Sequence, residues 1–165
     1  MSDDPVQGCF KFLKTFSDIV AAVGSTTNPD TSVTPWIFAE KSYKVMTGTQ
    51  ACSIVVSGSG GWAGPSDQST AEFPRLRLDI HSDPTRDSLN NVTSPVIART
   101  RAYDIYRIVD RHLHKPYIGL DQWGTCLVFG SKRLGAPLWA QPPTDDKVGI
   151  LTVYYGISTA SFFTS

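Results

Sequence analysis

The segment from Phe73 to His81 alternates between apolar and polar residues. Its apolar positions are Leu76, Leu78 and Ile80, and its polar positions are Arg75, Arg77, Asp79 and His81. Alternation of period two predicts a β-strand with one buried face, because successive side chains point to opposite sides of a strand. We expect the polar face of this strand to be available for contact with a partner.

A helical pattern runs from Pro95 to about His114. Its apolar residues recur at spacings of three and four and line one stripe: Ala98, Ala102, Ile105, Val109 and Leu113. Ser94 is placed as the N-cap, and Pro95 fills the first helical position, where its missing amide hydrogen costs nothing. Arg107 and Arg111 lie on the opposite stripe.

The remaining pattern predicts one more helix and several strands. Asp4 and Pro5 form a helix-start signature, and apolar residues continue at helical spacing to Val23, so a helix is predicted from Pro5 to Val23. Strands are predicted near 36–38 and over 51–57, 125–129 and 147–158. The last of these has apolar residues on both faces, which is typical of a strand in the centre of a sheet or at an interface.

The order of these elements predicts a single α+β domain over residues 1–165, with a mostly antiparallel sheet, two main helices packed on one face and extended loops. Residues 58–72 and 119–143 are predicted as loop extensions. The Gly-rich start of the first one lacks the Lys and Ser or Thr that end a phosphate-binding loop, so we interpret it as a hairpin tip.

Composition limits the classes of function. The 165 residues include 15 Lys or Arg and 15 Asp or Glu, and this balance argues against a dedicated nucleic-acid-binding protein. Between Arg99 and Lys115, however, five Lys or Arg stand against two Asp, a local charge of +3. No apolar run is long enough to span a bilayer, and the N-terminus lacks a signal-peptide pattern, so we expect folding in a cytoplasm. Cys9, Cys52 and Cys126 stand among apolar residues, which indicates reduced core thiols.

Few residues suggest catalysis or metal binding. His112 and His114 face about 200° away from each other on the predicted helix, so they cannot bind one ion together. Asp79 and His81 share a strand face, as the acid and base of a hydrolase would. The serine of such a hydrolase could be Ser53, Ser57 or Ser82. No Gly-x-Ser-x-Gly motif accompanies them. We expect no catalytic residue, no metal and no cofactor, with a small hydrolase using His81 and Asp79 as an alternative.

The capped N-terminal helix, the loop-rich hairpin, the charged strand and the arginine-rich helix together resemble the tail terminator proteins of long-tailed bacteriophages. The resemblance covers Phe10 to about Ser158 and rests on the order of the elements. It is clearest in the strand from Leu76 to His81 and in the helix that follows it. The segments 58–65 and 119–143 make the chain longer than the family pattern, so other neck proteins, such as head completion or stopper subunits, stay in contention.

The resemblance implies a structural virion protein, not an enzyme, that is assembled in the host cytoplasm. It would cap the tail tube as a hexameric ring and form the head–tail joining interface. Its partners would be further copies of itself, the tail tube protein and a head completion, stopper or connector protein. Genomic DNA would pass through the lumen without specific binding, and no membrane would be involved.

A ring subunit needs two different surfaces that fit each other. The candidate interface residues are Arg75, Arg77, Arg107, Arg111, Phe162 and Phe163. We expect Arg107 and Arg111 to pair with acidic residues of an adjacent ring subunit or tube subunit. The alternative is a solvated helix face on which Arg107 contacts Asp104 and Asp110. A monomeric adaptor that binds a partner through the aromatic end of the chain is a further alternative.

Overall fold

Three helices and one seven-stranded sheet form the part of the chain that the structure describes. The structure is a computed structural model, and it describes residues 4–23, 36–39, 51–63, 69–84, 94–115 and 121–162. The helices are α1 (Pro5–Leu13), α2 (Ser17–Val23) and α3 (Pro95–Leu113). The strands are β1 (Ile37–Ala39), β2 (Cys52–Ala63), β3 (Ser69–Ser82), β4 (Asp121–Trp123), β5 (Cys126–Arg133), β6 (Leu138–Gln141) and β7 (Gly149–Phe162). None of these helices combines the length and the apolar character needed to cross a lipid bilayer.

β7 lies inside the sheet, with partners on both sides. The strand order is β1-β2-β3-β7-β5-β4, and β6 also pairs with β7. β3 pairs with nearly the whole of β7, whereas on the other side β6 pairs with residues 150–152 and β5 with residues 155–159. Among the described pairs only β1 and β2 run parallel. The predictions of a mostly antiparallel sheet and of a central last strand are confirmed.

The three helices contribute to one core with one face of the sheet. From α3 come the five apolar residues of the predicted stripe, Ala98, Ala102, Ile105, Val109 and Leu113, all of them buried. From the sheet come Ile54, Val56, Leu76, Leu78, Ile80, Leu151, Val153 and Tyr155. Removing apolar surface from water stabilises a fold by about 25 cal/mol per Å². This layer is therefore the main source of stability.

The predicted helix from Pro5 to Val23 is wrong in its continuity, because the structure breaks it into α1 and α2. Its start is confirmed: the Asp4 carboxylate accepts hydrogen bonds from the first amides of α1. The break follows from Thr15, whose amide and Oγ1 both donate to the Phe12 carbonyl. A carbonyl satisfied in this way ends a helix. Three helices thus replace the two that were predicted.

α1 approaches the β4 edge of the sheet closely at Gly8. A Cβ atom at Gly8 would lie 2.7 Å from the Trp123 carbonyl oxygen and 2.8 Å from the Cys126 Cβ, so a larger residue does not fit. One turn further on, Phe12 stacks on the Trp123 ring with centroids 4.9 Å apart. These contacts fix the position of α1 over β4 and β5.

The two predicted loop extensions contain strand, which corrects that prediction. Residues 58–63 belong to β2 and pair with residues 72–76 of β3 around a bulge between Gly58 and Gly61, and residues 69–72 of β3 pair with β7. Gly60 at this bulge has φ = 84°, a conformation that glycine adopts without strain. The segment 119–143 contains β4, β5 and β6. Residues 64–68 lie outside the described ranges.

The three cysteines are buried thiols without a disulfide, as predicted. Burial raises the pKa of Cys52 to about 11 and also raises the pKa of Cys9. Both thiols therefore stay protonated at neutral pH and behave as small apolar groups.

Leu78→Ala should lower the free energy of unfolding by about 3 kcal/mol, because Leu78 is completely buried and its truncation leaves a cavity. Leu138→Ala removes the same atoms from a side chain that is 66% exposed, and should change the free energy by less than about 0.5 kcal/mol. Urea denaturation of both variants measures the difference. Equal losses in the two variants would contradict the assignment of the core.

Candidate functional site

The helices cover one face of the sheet, and we call the other side the open face. Near β1 and β2 the open face is itself buried, in a second cluster of Trp36, Phe38 and Val55. On β3 it carries Arg75, Arg77, Asp79 and His81, because the leucines and the isoleucine between them point into the core. On the neighbouring strand β7 it carries Thr152, Tyr154 and Gly156, which pair with Asp79, Arg77 and Arg75. The alternation predicted for β3 is confirmed, and its polar side chains lie together on a surface.

Large apolar side chains are also exposed on the open face. Seven such side chains are exposed among those described. Strand register, alternation and the contact of Leu134 with Gly156 place four of the seven on this face: Phe73, Leu127, Leu134 and Leu138. Single exposed apolar residues are ordinary, whereas several on one face indicate a contact surface.

Two cationic residues of the open face flank Gly156, beside a shallow cleft. Gly156 of β7 pairs with Arg75 on one side and with Lys132 on the other. Because neighbouring strands lie about 4.8 Å apart, the backbones of the two cationic residues are about 10 Å apart, with Gly156 between them. The side chain of Leu134 lies beside Gly156. Arg75, Leu134 and Tyr154 line a cleft with a volume of about 340 Å³.

Arg77 is fixed by its neighbours on the open face. Its Nε donates to Asp79 Oδ1 at 3.0 Å, and Thr152 Oγ1 donates to the same oxygen. The hydrogen bond to Asp79 raises the pKa of Arg77, so its guanidinium group stays charged. Arg75 is exposed and forms no ion pair with any described side chain.

Of the three serines that could join Asp79 and His81 in a catalytic triad, Ser57 is half-buried and pairs with Arg77 on the same strand face, and the other two are buried. Ser53 pairs directly opposite His81. Its hydroxyl is fully buried, however, and makes no hydrogen bond with any described group. Ser82 is also buried and alternates to the helix side. A serine nucleophile must reach both its base and the substrate, and neither of these two serines is placed to do so.

Arg107 and Arg111 lie on the outer side of α3, across the sheet from the open face. Both side chains are 69% exposed. Arg107 donates to Asp104 at 3.1 Å, as the local-pairing alternative predicts, and Arg111 lies 4.0 Å from Asp18. Such exposed pairs are worth about 0.3–0.5 kcal/mol. Both guanidinium groups are therefore available to a partner at little cost.

The two histidines at the end of α3 contact different groups. His112 Nε2 lies 2.8 Å from an Asp18 carboxylate oxygen, and the ring stacks on Phe16. His114 Nδ1 accepts a hydrogen bond from the Arg133 amide at 3.0 Å. This agrees with the expectation that they cannot share one ion. The hydrogen bond to His112 lowers the pKa of Asp18.

The aromatic end of the chain is only partly described. Phe162 is the last residue of β7 and pairs with Ser69 of β3, so the backbone at this point belongs to the sheet. The side chain of Phe162 and the whole of Phe163 lie outside the described part of the chain. Of the six candidate interface residues, the structure thus brings Arg75 and Arg77 together and places Arg107 and Arg111 on the opposite side.

A polar contact that the sequence analysis missed joins α3 to the sheet. Asp110 accepts hydrogen bonds from the Tyr155 hydroxyl at 2.7 Å and from Arg133 Nη1. Burial, and then the hydrogen bond to Asp110, raise the pKa of Tyr155, so its hydroxyl remains a donor. Tyr155 lies in the apolar run of β7, and no periodicity relates it to a helix residue 45 positions away. Asp110 therefore contacts the sheet. It does not form the local pair with Arg107 that the solvated-face alternative predicts.

No protein-family model matches this chain, and no curated protein sequence is significantly similar to it.

His81→Gln should flatten the dependence of stability on pH between about pH 7 and pH 5. Burial lowers the pKa of His81 below its ordinary 6.5, so below that pH the unfolded chain binds this proton more readily than the folded protein does. Acidification therefore destabilises the wild type, and stability is regained as the pH returns to 7. Urea midpoints measured at several pH values give the slope. An unchanged slope in the variant would contradict the assigned environment of His81.

Proposed function

We propose that this chain is a structural subunit of a bacteriophage tail, which caps the tail tube as a hexameric ring where the tail joins the head. The observation that carries the proposal is the open face, where exposed apolar and cationic side chains occupy one side of a sheet whose other side is covered by helices. A surface of this composition supports contact with protein. The order of the elements supports the resemblance to tail terminator proteins.

Two separate surfaces suit a ring of identical subunits. A closed ring requires a head-to-tail interface, in which one surface of each subunit meets a different surface of the next. The open face offers Arg75, Leu134 and Leu138, and the outer side of α3 offers Arg107 and Arg111. Because the two surfaces lie on opposite sides of the sheet, one subunit can contact a neighbour and a further partner at the same time.

The charge balance suits a ring through which DNA passes. Each phosphate that a protein neutralises adds affinity through counterion release, and tight binding would hinder passage. The formal net charge of zero favours weak binding over the whole molecule. We therefore propose genomic DNA as the content of the lumen and not as a specific ligand.

Another neck protein, such as a head completion or stopper subunit, is the alternative. It would share the open face and the ring-forming requirement, but it would bind the connector on the head side and not the tail tube protein. Binding to purified tail tubes separates the two.

The purified protein should assemble into particles of defined mass at high concentration. Six copies of an 18.0 kDa chain give 108 kDa. Sedimentation equilibrium or light scattering measures this mass, with and without added tail tubes. A mass near 108 kDa for the free protein, or the same mass added to the tubes, agrees with a hexameric ring. A monomer that also fails to bind the tubes would remove the proposal.

Changing both Arg107 and Arg111 to Glu should abolish the joining of tails to heads while leaving the fold intact, because both side chains are mostly exposed. In vitro complementation of defective lysates measures joining, and circular dichroism checks the fold. Arg99→Glu reverses an exposed cation on the same helix and serves as the control. Normal joining by the double variant would exclude these arginines from the interface.

A further inference from the structure

Among the residues that the structure describes, one exposed acidic side chain has no partner. Among the aspartates with described side chains, Asp145 alone has neither a basic group nor a hydrogen-bond donor beside it. The others have partners: Asp4 caps α1, and Asp18, Asp79, Asp104 and Asp110 contact His112, Arg77, Arg107 and Arg133. Asp83 and Asp146 also have bonding partners.

Asp145 lies in a defined turn next to a second carboxylate. Thr144 and Lys147 exchange two backbone hydrogen bonds, of 3.2 and 3.3 Å, which close the turn. Thr144 Oγ1 donates to Asp146 Oδ1 at 2.8 Å, so this carboxylate is also held in place. All four residues from 144 to 147 are exposed. The turn therefore presents two adjacent carboxylates to solvent, and we call it the acidic turn.

The open face holds the complementary arrangement. Arg75 and Lys132 are both exposed, neither has a partner among the described residues, and they flank Gly156 at the cleft. Arg99, Lys115 and Lys147 also lack a described acidic partner, but Arg99 lies on α3 and Lys147 belongs to the acidic turn itself. Lys115 pairs with Ser131, the neighbour of Lys132, and therefore alternates to the helix side of the sheet. The cleft is thus the place where two unpaired cations lie side by side.

The acidic turn of one chain does not reach its own cleft. Gly156 lies seven residues into β7 from Gly149, about 23 Å along an extended strand, and the turn precedes Gly149. Two unpaired cations and two adjacent carboxylates at separate places on a neutral chain match the receiving and presenting surfaces of a head-to-tail contact.

We propose that the cleft at Arg75, Lys132 and Gly156 receives the acidic turn, Asp145 and Asp146, of a second copy of this chain. The inference deepens the proposed ring by naming the two surfaces that meet between neighbouring subunits, and it rests on that function. Leu134 packs over Gly156, so the turn would meet the two cations above this leucine. Leu134 and Tyr154 supply apolar contact at its edge.

The test uses reversed charges and sedimentation velocity on the full chain. Arg75→Glu with Lys132→Glu should raise the concentration at which half the chains are assembled by about tenfold or more, and Asp145→Lys with Asp146→Lys should do the same. The variant that combines all four changes should assemble again, because opposite charges meet once more. Its recovery also shows that the separate variants fail by charge and not by misfolding.

Arg99→Glu with Lys11→Glu is the matched control, with the same change in net charge at exposed helix positions away from the cleft, and should assemble like the wild type. If the wild type forms 108 kDa particles and the cleft and turn variants do so equally well, the contact is overturned while the ring stands. If the wild type forms only open chains or dimers that respond to these reversals, the contact stands and the hexameric ring falls. Wild-type protein that stays monomeric at every concentration and also fails to bind tail tubes overturns both.

If the cleft instead bound nucleic acid, the same set of variants would give a different result. A single-stranded oligonucleotide serves as the probe. If Arg75→Glu with Lys132→Glu loses binding to the oligonucleotide and keeps the native mass of the wild type, the cleft binds phosphate and the proposed contact between copies is overturned.

Discussion

The pairing of β7 on both sides is the constraint on which the other parts of this structure depend. β3 occupies one side of this strand, and β5 and β6 share the other, so its backbone hydrogen bonds are made within the sheet. Its inward residues Leu151, Val153 and Tyr155 are completely buried in the core. Since an unpaired buried amide or carbonyl is costly, the strand can lie there only with both neighbours in place. The bonds from Tyr155 and Arg133 to Asp110 then fix α3 above it.

The same constraint produces the open face. A central strand exposes its two faces equally, and the helices cover one of them. On the other face, strand register determines which side chains become neighbours, whatever their own chemistry. Arg75 and Lys132 come to flank Gly156 for this reason, although they are 57 positions apart in the sequence. A contact surface built on a paired sheet is rigid, which lowers the entropy lost when a partner binds.

Local patterns predicted the parts of the fold that are stabilised locally. The alternation of β3 and the helical stripe of α3 could both be predicted, because apolar residues recur at a regular spacing in a half-buried strand and in an amphipathic helix. The break between α1 and α2 was missed because it depends on the hydrogen bonds of one residue, Thr15. The ends of β2 and β3 within 58–72, and β4 and β6 within 119–143, were missed because these short or Gly-rich segments are stabilised by pairing with other strands, which no local period reports. Part of β5 was predicted, over residues 125–129.

The sequence by itself determined the α+β class, the polar face of β3, the capped arginine-rich helix and the neutral overall charge, since each of these depends on composition or on neighbours along the chain. It predicted four arginines as contact residues without showing that they belong to opposite sides of the molecule. Only the tertiary structure decided that Lys132 and Leu134 join Arg75 at one cleft, that Asp110 is used to hold α3 and that Asp145 is left without a partner. The physical reason is that strand order and register bring together residues that are distant in sequence, and no periodicity encodes which distant residues will meet.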